Sequence, residues 1–169
     1  VYELVKSYVL LDDAENNLKF IGPYEEDVKN DLIHLAGEKA DRINFLGIMD
    51  KSNVLFEMKR ATALVLPSYT EGFPNVIIEA MAMKCPIVAT NVGAIASMLN
   101  IGSARPAGLV IEPKNVQALT KALEFMLSNP DKAQYFAQNA FLKVKSEYTL
   151  EKVCVQYENI WKYCVNREL

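Results

Sequence analysis

The chain has 169 residues, 51% of them hydrophobic and 23% charged, with a net charge of −3. That suits a single globular domain with a substantial core, and it lacks the clustered basic surface that a nucleic-acid partner calls for. No apolar run approaches the ~18–20 residues of a bilayer span, and Val1-Tyr2-Glu3-Leu4-Val5 has neither the basic start nor the small-residue cleavage site of a signal peptide. Cys85, Cys154 and Cys164 are odd in number and far from CxxC spacing, so neither a disulfide framework nor a zinc site is expected. A reducing, cytoplasmic setting is the expectation.

In chain order, Val1, Leu4, Val5, Tyr8 and Leu11 recur at helical spacing, and Leu18-Lys19-Phe20-Ile21 reads as a strand stopped at Gly22-Pro23. Val28, Leu32, Leu35 and Ala36 mark a second helix from Glu25 to about Lys39, with an acidic first turn that suits the helix dipole. Ile43-Asn44-Phe45-Leu46 is the next strand, and Ser52 is the expected N-cap of a helix through Arg60. Ala63-Leu64-Val65-Leu66 is apolar throughout, as a strand covered on both faces should be. A helix over Asn75 to Lys84 precedes strands at Pro86-Ile87-Val88-Ala89 and Gly108-Leu109-Val110-Ile111. Three helices follow, at about Val116–Leu127, Asp131–Lys145 and Leu150–Val165.

Strands alternating with helices across short turns predict an α/β domain, a Rossmann-like parallel sheet with helices on both faces, whose ligand sits beyond the carboxyl ends of the strands. Such a domain ordinarily opens on a strand. The helical start, without a Met, leads to the expectation of a fragment whose first strand lies upstream.

The segment from Pro67 to Ala82 carries the chemistry. It leaves the carboxyl end of an apolar strand and enters a helix. Gly72 permits close backbone approach, Pro74 suits the first helical turn, and the Asn75 and Val76 amides become free donors for a phosphate group. Glu79 sits in a helix that is apolar almost all round, where a carboxylate needs hydrogen-bond donors, and the vicinal hydroxyls of a ribose would supply them. Glu71, just ahead of the helix, would repel a diphosphate, so a hydroxyl-rich sugar is its natural partner.

Glu71 and Glu79, embedded in Glu-Gly-Phe-Pro-Asn-Val-Ile-Ile-Glu-Ala-Met-Ala, resemble the E-x7-E motif of the retaining glycosyltransferase family 4, which has the GT-B fold. Phe45-Leu46-Gly47, Pro67-Ser68, Pro86-Ile87-Val88-Ala89-Thr90 with Val92-Gly93, and Gly108-Leu109-Val110 with Pro113 resemble the flanking parts of its carboxyl-terminal domain. The resemblance covers nearly the whole chain, residues 1–169, as the donor-binding half only. It implies that Glu71 is catalytic and that Glu79 holds the ribose. It puts Phe73 and Pro74 in the sugar pocket beside Gly72, the Asn75 and Val76 amides on the diphosphate, and backbone near Met49 on the base. The donor would be a UDP-, GDP- or ADP-sugar, with no metal and no other cofactor. The acceptor, a glycan, lipid or small molecule, would bind an amino-terminal domain that the chain lacks, and the parent could lie peripherally at the inner face of a membrane.

Three departures stand out. The family's Arg and Lys diphosphate clamp would fall upstream of Val1. Ala94, Ala96 and Ser97 replace the usual Gly, Pro and Glu, which weakens any sugar contact there. The acceptor domain is absent. The rival readings are a GT-B nucleotide-sugar epimerase and a non-catalytic module that binds nucleotide or a partner protein. Among other residues, His34 is read as a solvated helix position, and Ser68 as a loop residue lacking a nucleophile's G-x-S-x-G turn. Tyr157, Ile160, Trp161 and Cys164 are read as a packing face, on a helix that in the family packs back toward the other domain; Lys51, Lys59 and Arg60 are read as solvated charges, and Cys85 as a small buried hydrophobe. Asp12-Asp13 lies remote from the motif and forms no metal pair.

Overall fold

The computed structural model describes residues 1–12 and 16–165. Asp13, half of the Asp12-Asp13 pair, lies outside them. The elements are α1 (Tyr2–Leu10), β1 (Leu18–Ile21), α2 (Glu26–Ala36), β2 (Ile43–Gly47), α3 (Lys51–Arg60), β3 (Leu64–Leu66) and α4 (Asn75–Ala82). There follow β4 (Ile87–Thr90), α5 (Ile95–Met98), β5 (Leu109–Ile111), α6 (Val116–Ser128), α7 (Pro130–Glu147) and α8 (Leu150–Val165). A 3-10 turn over Gly37–Arg42 continues α2, taking the place of the longer helix expected there. The short helix α5 lies in what the sequence suggests is loop.

Among the described residues every strand pairing is parallel, but the strands form two sheets. β1 pairs with β2, Leu18 opposite Ile43, and β4 pairs with both β3 and β5, Val88 opposite Val65 and Leu109. Side chains alternate across this layer, as the period of a strand requires. Phe20, Phe45, Val65, Val88 and Leu109 face a core built on α1, α2 and α6. Ile87, Ala89 and Val110 face a second core with α3, α4 and α5. The first core contains residues from both sheets, so the two lie side by side under one helical layer.

The residues that seal these layers explain their positions. Leu4, Val5 and Tyr8 share one stripe of α1 and are at most 5% exposed. Ile77, Ala80 and Met81 do the same for α4, all with 0% exposure. Asp50, not Ser52, caps α3. Its carboxylate accepts from the Asn53 N–H at 2.9 Å and from the Ser52 hydroxyl at 2.6 Å. A carboxylate only accepts, whereas the hydroxyl can spend its proton on it, so the acid takes the cap. β3 is only half-buried along its length, short of the double cover its composition suggests. α8 buries none of its residues: Tyr157, Ile160, Trp161 and Cys164 are all exposed, so no described residue covers this stripe as a packing partner would. His34 is exposed and Cys85 is buried, both as read from sequence.

Candidate donor-binding site at the carboxyl ends of the strands

The loop from Pro67 to Pro74 leaves β3 at its carboxyl end and is clamped from beneath by β4. The Thr90 hydroxyl, buried, donates to the Ser68 carbonyl at 2.6 Å. The loop after β4 holds the other side: the Ala94 N–H donates to the Gly72 carbonyl at 2.9 Å. Gly93 makes that approach possible. Its φ is +56°, and a Cβ there would lie 2.2 Å from the Glu71 carbonyl oxygen and 2.6 Å from that of Gly72. Only glycine combines that backbone with that contact.

Glu71 is half-buried, and its Oε1 accepts from the Ser68 hydroxyl at 2.7 Å. Ser68 therefore positions the carboxylate and leaves Oε2 for another donor. Pro74 is the N-cap of α4, one position ahead of the first-turn place expected for it. It offers no side-chain acceptor, and it lies buried while Gly72, Phe73 and Asn75 are exposed. The Asn75 and Val76 N–H groups thus open the helix without a cap, pointing out of its positive end. Phe73 is held edge-on against Tyr148 at the end of α7, with ring centroids 5.8 Å apart, and half its surface remains open.

Glu79 departs from expectation. Its side chain keeps 25% of its exposure, so it is not deeply buried, and its Oε1 is in an ion pair with Lys51. Lys51, read from sequence as a solvated charge, is the first residue of α3, so this pair ties the Met49 loop to α4. From Val76 to Ala82 every other residue of α4 is apolar, but the helix has one partly exposed edge, and Glu79 lies on it. Sequence reasoning also passed over Tyr69. Its hydroxyl donates to Glu3 of α1, an interaction that lowers the Glu3 carboxyl below the usual range and raises the Tyr69 phenol. Lys114, after β5, sits 5.0 Å over the Tyr69 ring. Glu3 Oε2 is buried and has no hydrogen-bond partner among the described residues. These contacts join segments far apart in sequence, and no local pattern announces them.

The Ala94, Ala96 and Ser97 segment is turned to structural use. The Ser97 hydroxyl donates to the Ala94 carbonyl, and the Ser97 carbonyl accepts from Lys143 at 2.7 Å. Among the described residues no group of three His, Cys, Asp or Glu side chains could hold a metal ion, and no helix is long and apolar enough to cross a membrane.

A parallel α/β layer with an uncapped helix N-terminus and two acids at its carboxyl edge places the candidate site where doubly wound α/β folds hold their ligands. Residues 1–143 match the family model "Glycosyl transferases group 1", and the chain belongs to that family. It is 30% identical over 144 residues to an uncharacterized glycosyltransferase of Haemophilus influenzae, an alignment that covers 85% of this chain and 39% of that protein. The crystal structure of the C-terminal domain of a glycosyl transferase group 1 family protein from Francisella tularensis superposes with a TM-score of 0.74 at 28% identity. It covers 88% of this chain and 79% of that one. Anabaena HepE in complex with UDP-glucose shares the fold, with a TM-score of 0.82 at 21% identity over 96% of this chain and 44% of its own. The chain is therefore the carboxyl-terminal, GT-B type domain of a glycosyltransferase, and it spans about two fifths of the length of the curated relative it matches.

Proposed function

We propose that this domain binds the donor of a metal-independent, retaining glycosyl transfer of the family 4 kind, in which a hexose-type sugar passes from a nucleoside diphosphate to an acceptor hydroxyl. The observation that carries the reading is the convergence at α4: a carboxylate in the loop ahead of the helix, free amides at its start, and a second carboxylate one turn in. The diphosphate meets the Asn75 and Val76 amides, which offset the charge that builds on the leaving group. Glu79 exchanges its exposed Lys51 partner for ribose hydroxyls, a small sacrifice because an exposed ion pair contributes only about 0–1 kcal/mol. The base lies over the Met49 loop, which the Lys51–Glu79 pair brings to the same edge. Glu71, aligned by Ser68, faces the sugar. It orients hydroxyls and stabilises positive charge at the anomeric carbon as the bond to the diphosphate breaks, with Gly72, Phe73 and Pro74 shaping the pocket. The solved HepE complex with UDP-glucose supports a nucleotide sugar as ligand.

Calorimetry with UDP, GDP and ADP on the parent protein and its Glu79→Gln variant tests this. Replacing the acid should weaken the preferred nucleotide by about 1–3 kcal/mol, the range for a charged hydrogen bond in a partly desolvated site, with little change in Tm. A sharp fall in Tm with affinity intact would make Glu79 structural and end its ribose role.

A further inference from the structure

The Ser68–Glu71 hydrogen bond is internal to its loop. It fixes the carboxylate relative to Ser68, but not where the loop itself stands above the sheet. Part of that placement comes from backbone contacts, with Thr90 donating to the Ser68 carbonyl and Ala94 to that of Gly72. Toward the helices α1 and α6 the loop is held by a side chain, Tyr69, and the place that receives it is built without the loop.

Glu3 and Ser7 lie one turn apart on the same face of α1. The Ser7 hydroxyl, on a residue 0% exposed, donates to the Val116 carbonyl at the start of α6 at 3.1 Å. Leu4 and Val5 share a core with Leu119 and Ala122 of the same helix. Asn115 caps α6, its side chain accepting from the Ala118 N–H at 2.9 Å, and Lys114 just ahead of it takes a left-handed backbone with φ +60°. The start of α1 and the entry to α6 are therefore tied to one another, and together they present a carboxylate, Glu3, and an ammonium, Lys114.

Tyr69 fits between these two charges. Its hydroxyl donates to Glu3 Oε1, a bond strengthened by the charge on the acceptor. Its ring lies under the Lys114 ammonium, 5.0 Å from the centroid, so a cation meets the negative face of the π system. The residue is 51% exposed, and at that exposure neither contact adds much stability. What they supply is geometry. A group that stabilises charge in a transition state works only from a fixed place, and misplacement by about 1 Å can cost about a hundredfold in rate.

We propose that Tyr69 is a positioning residue for Glu71: docked on α1 and on the entry to α6, its phenol fixes where the carboxylate two residues further on stands relative to the start of α4. This rests on the donor-site reading, in which Glu71 faces the sugar.

A double-mutant cycle on the full-length parent tests it, with transfer measured from whichever UDP-, GDP- or ADP-sugar the parent uses. Tyr69→Phe keeps the ring under Lys114 and removes only the donated bond. It should lower kcat about tenfold, short of the loss a full displacement would cause, while KM, affinity for the free nucleoside diphosphate and Tm hold. The Glu71→Ala background is diagnostic. There Tyr69→Phe should lower kcat no further, because the group it positions has gone. Glu3→Ala removes the other end of the same bond, so it should match Tyr69→Phe, and the two together should cost no more than either alone. An unchanged kcat in Tyr69→Phe overturns the proposal. So does a loss that persists when Glu71 is already alanine, which would mean that Tyr69 acts on another group. Should Tyr69→Phe lower Tm, Glu3→Ala carries the same cycle against Glu71→Ala, and a fall in Tm in both variants would make the contact structural and end the proposal. Full turnover in Glu71→Ala would sink the donor-site reading itself. An inactive Glu71→Ala beside a fully active Tyr69→Phe leaves that reading standing and removes only the role of Tyr69.

Discussion

At the scale of single residues, the site depends on contacts that fix the loop ahead of α4. The motif from Glu71 to Glu79 is legible in sequence because its residue types, a glycine, a proline and two acids against apolar neighbours, sit in one continuous stretch. What holds it is not legible. Gly93 looks like an ordinary loop glycine until its Cβ position is seen to coincide with the Glu71 and Gly72 carbonyls. Gly93→Ala should therefore strain its backbone and push the Glu71 loop away, costing about 1–3 kcal/mol. Thermal unfolding and nucleotide titration on the variant should show Tm and affinity falling together. An unchanged Tm would mean that the two loops can part freely. Glu71 itself has a different expected signature. On the proposed reading its work is directed at the sugar, so Glu71→Ala in the full-length enzyme should lower turnover on the order of a hundredfold, comparable to the loss of one preorganised electrostatic group. It should raise KM less, because an interaction that strengthens in the transition state acts mainly on kcat. Affinity for the bare nucleoside diphosphate should hold. Its collapse alongside transfer would place Glu71 in the nucleotide site or in the fold.

At the scale of elements, periodicity located every strand and all helices but one. α5 is only four residues long, too short for a repeat to declare itself. α8 shows the opposite failure. Its periodicity is real, but a stripe at helical spacing does not say that a partner is present, and Tyr157, Ile160 and Trp161 all lie exposed. The cap of α3 shows how side-chain chemistry outranks position. Ser52 was a plausible cap, but its hydroxyl donates to Asp50, which takes the helix amide. The Asp50 carboxyl is held below the usual carboxylate range, first by the Ser52 hydroxyl and then by the Asn53 N–H. A depressed carboxyl pKa stabilises the fold above the ordinary value, about 4, and that contribution is lost as pH falls through the folded-state value. Asp50→Ala should lower Tm at neutral pH by roughly 2–4 °C, as expected for one lost cap in a domain of this size. The gap between variant and parent should close as pH drops below about 4. A gap that persists in strong acid would show that the carboxylate is not what stabilises α3.

At the scale of the whole molecule, the sequence reads as one sheet while the structure has two, and the reason is physical. Apolar strands alternating with helices establish that the layer is parallel and covered, but they do not say whether every neighbour in the layer comes from the same stretch of chain. The half-exposed β3 was the discordant sign, a strand apolar enough for a sheet centre yet only half-buried along its length.

That gap shapes the last prediction, that the 169-residue chain gives no glycosyl transfer by itself. In the proposed donor site a diphosphate would meet only the amides at the start of α4, and neutral amides offset only part of the charge a leaving diphosphate develops. Lys51 is paired with Glu79, one turn into α4, and Lys114 lies over the Tyr69 ring, so without ligand neither is aimed at the amides that open α4. Transfer also needs an acceptor hydroxyl held at near-attack distance, an effect worth about 7–11 kcal/mol in well-oriented systems. The family relative is more than twice as long as the segment matched here, which leaves ample chain to build the facing half of such a cleft. The expected result is weak nucleotide binding without turnover, checked by incubating the purified chain with labelled UDP-, GDP- and ADP-sugars and a range of acceptors, with the full-length parent assayed under the same conditions. Reproducible sugar transfer by the chain alone would show that the acceptor and the charge-neutralising groups both lie within these 169 residues, and the division of labour argued here would fall.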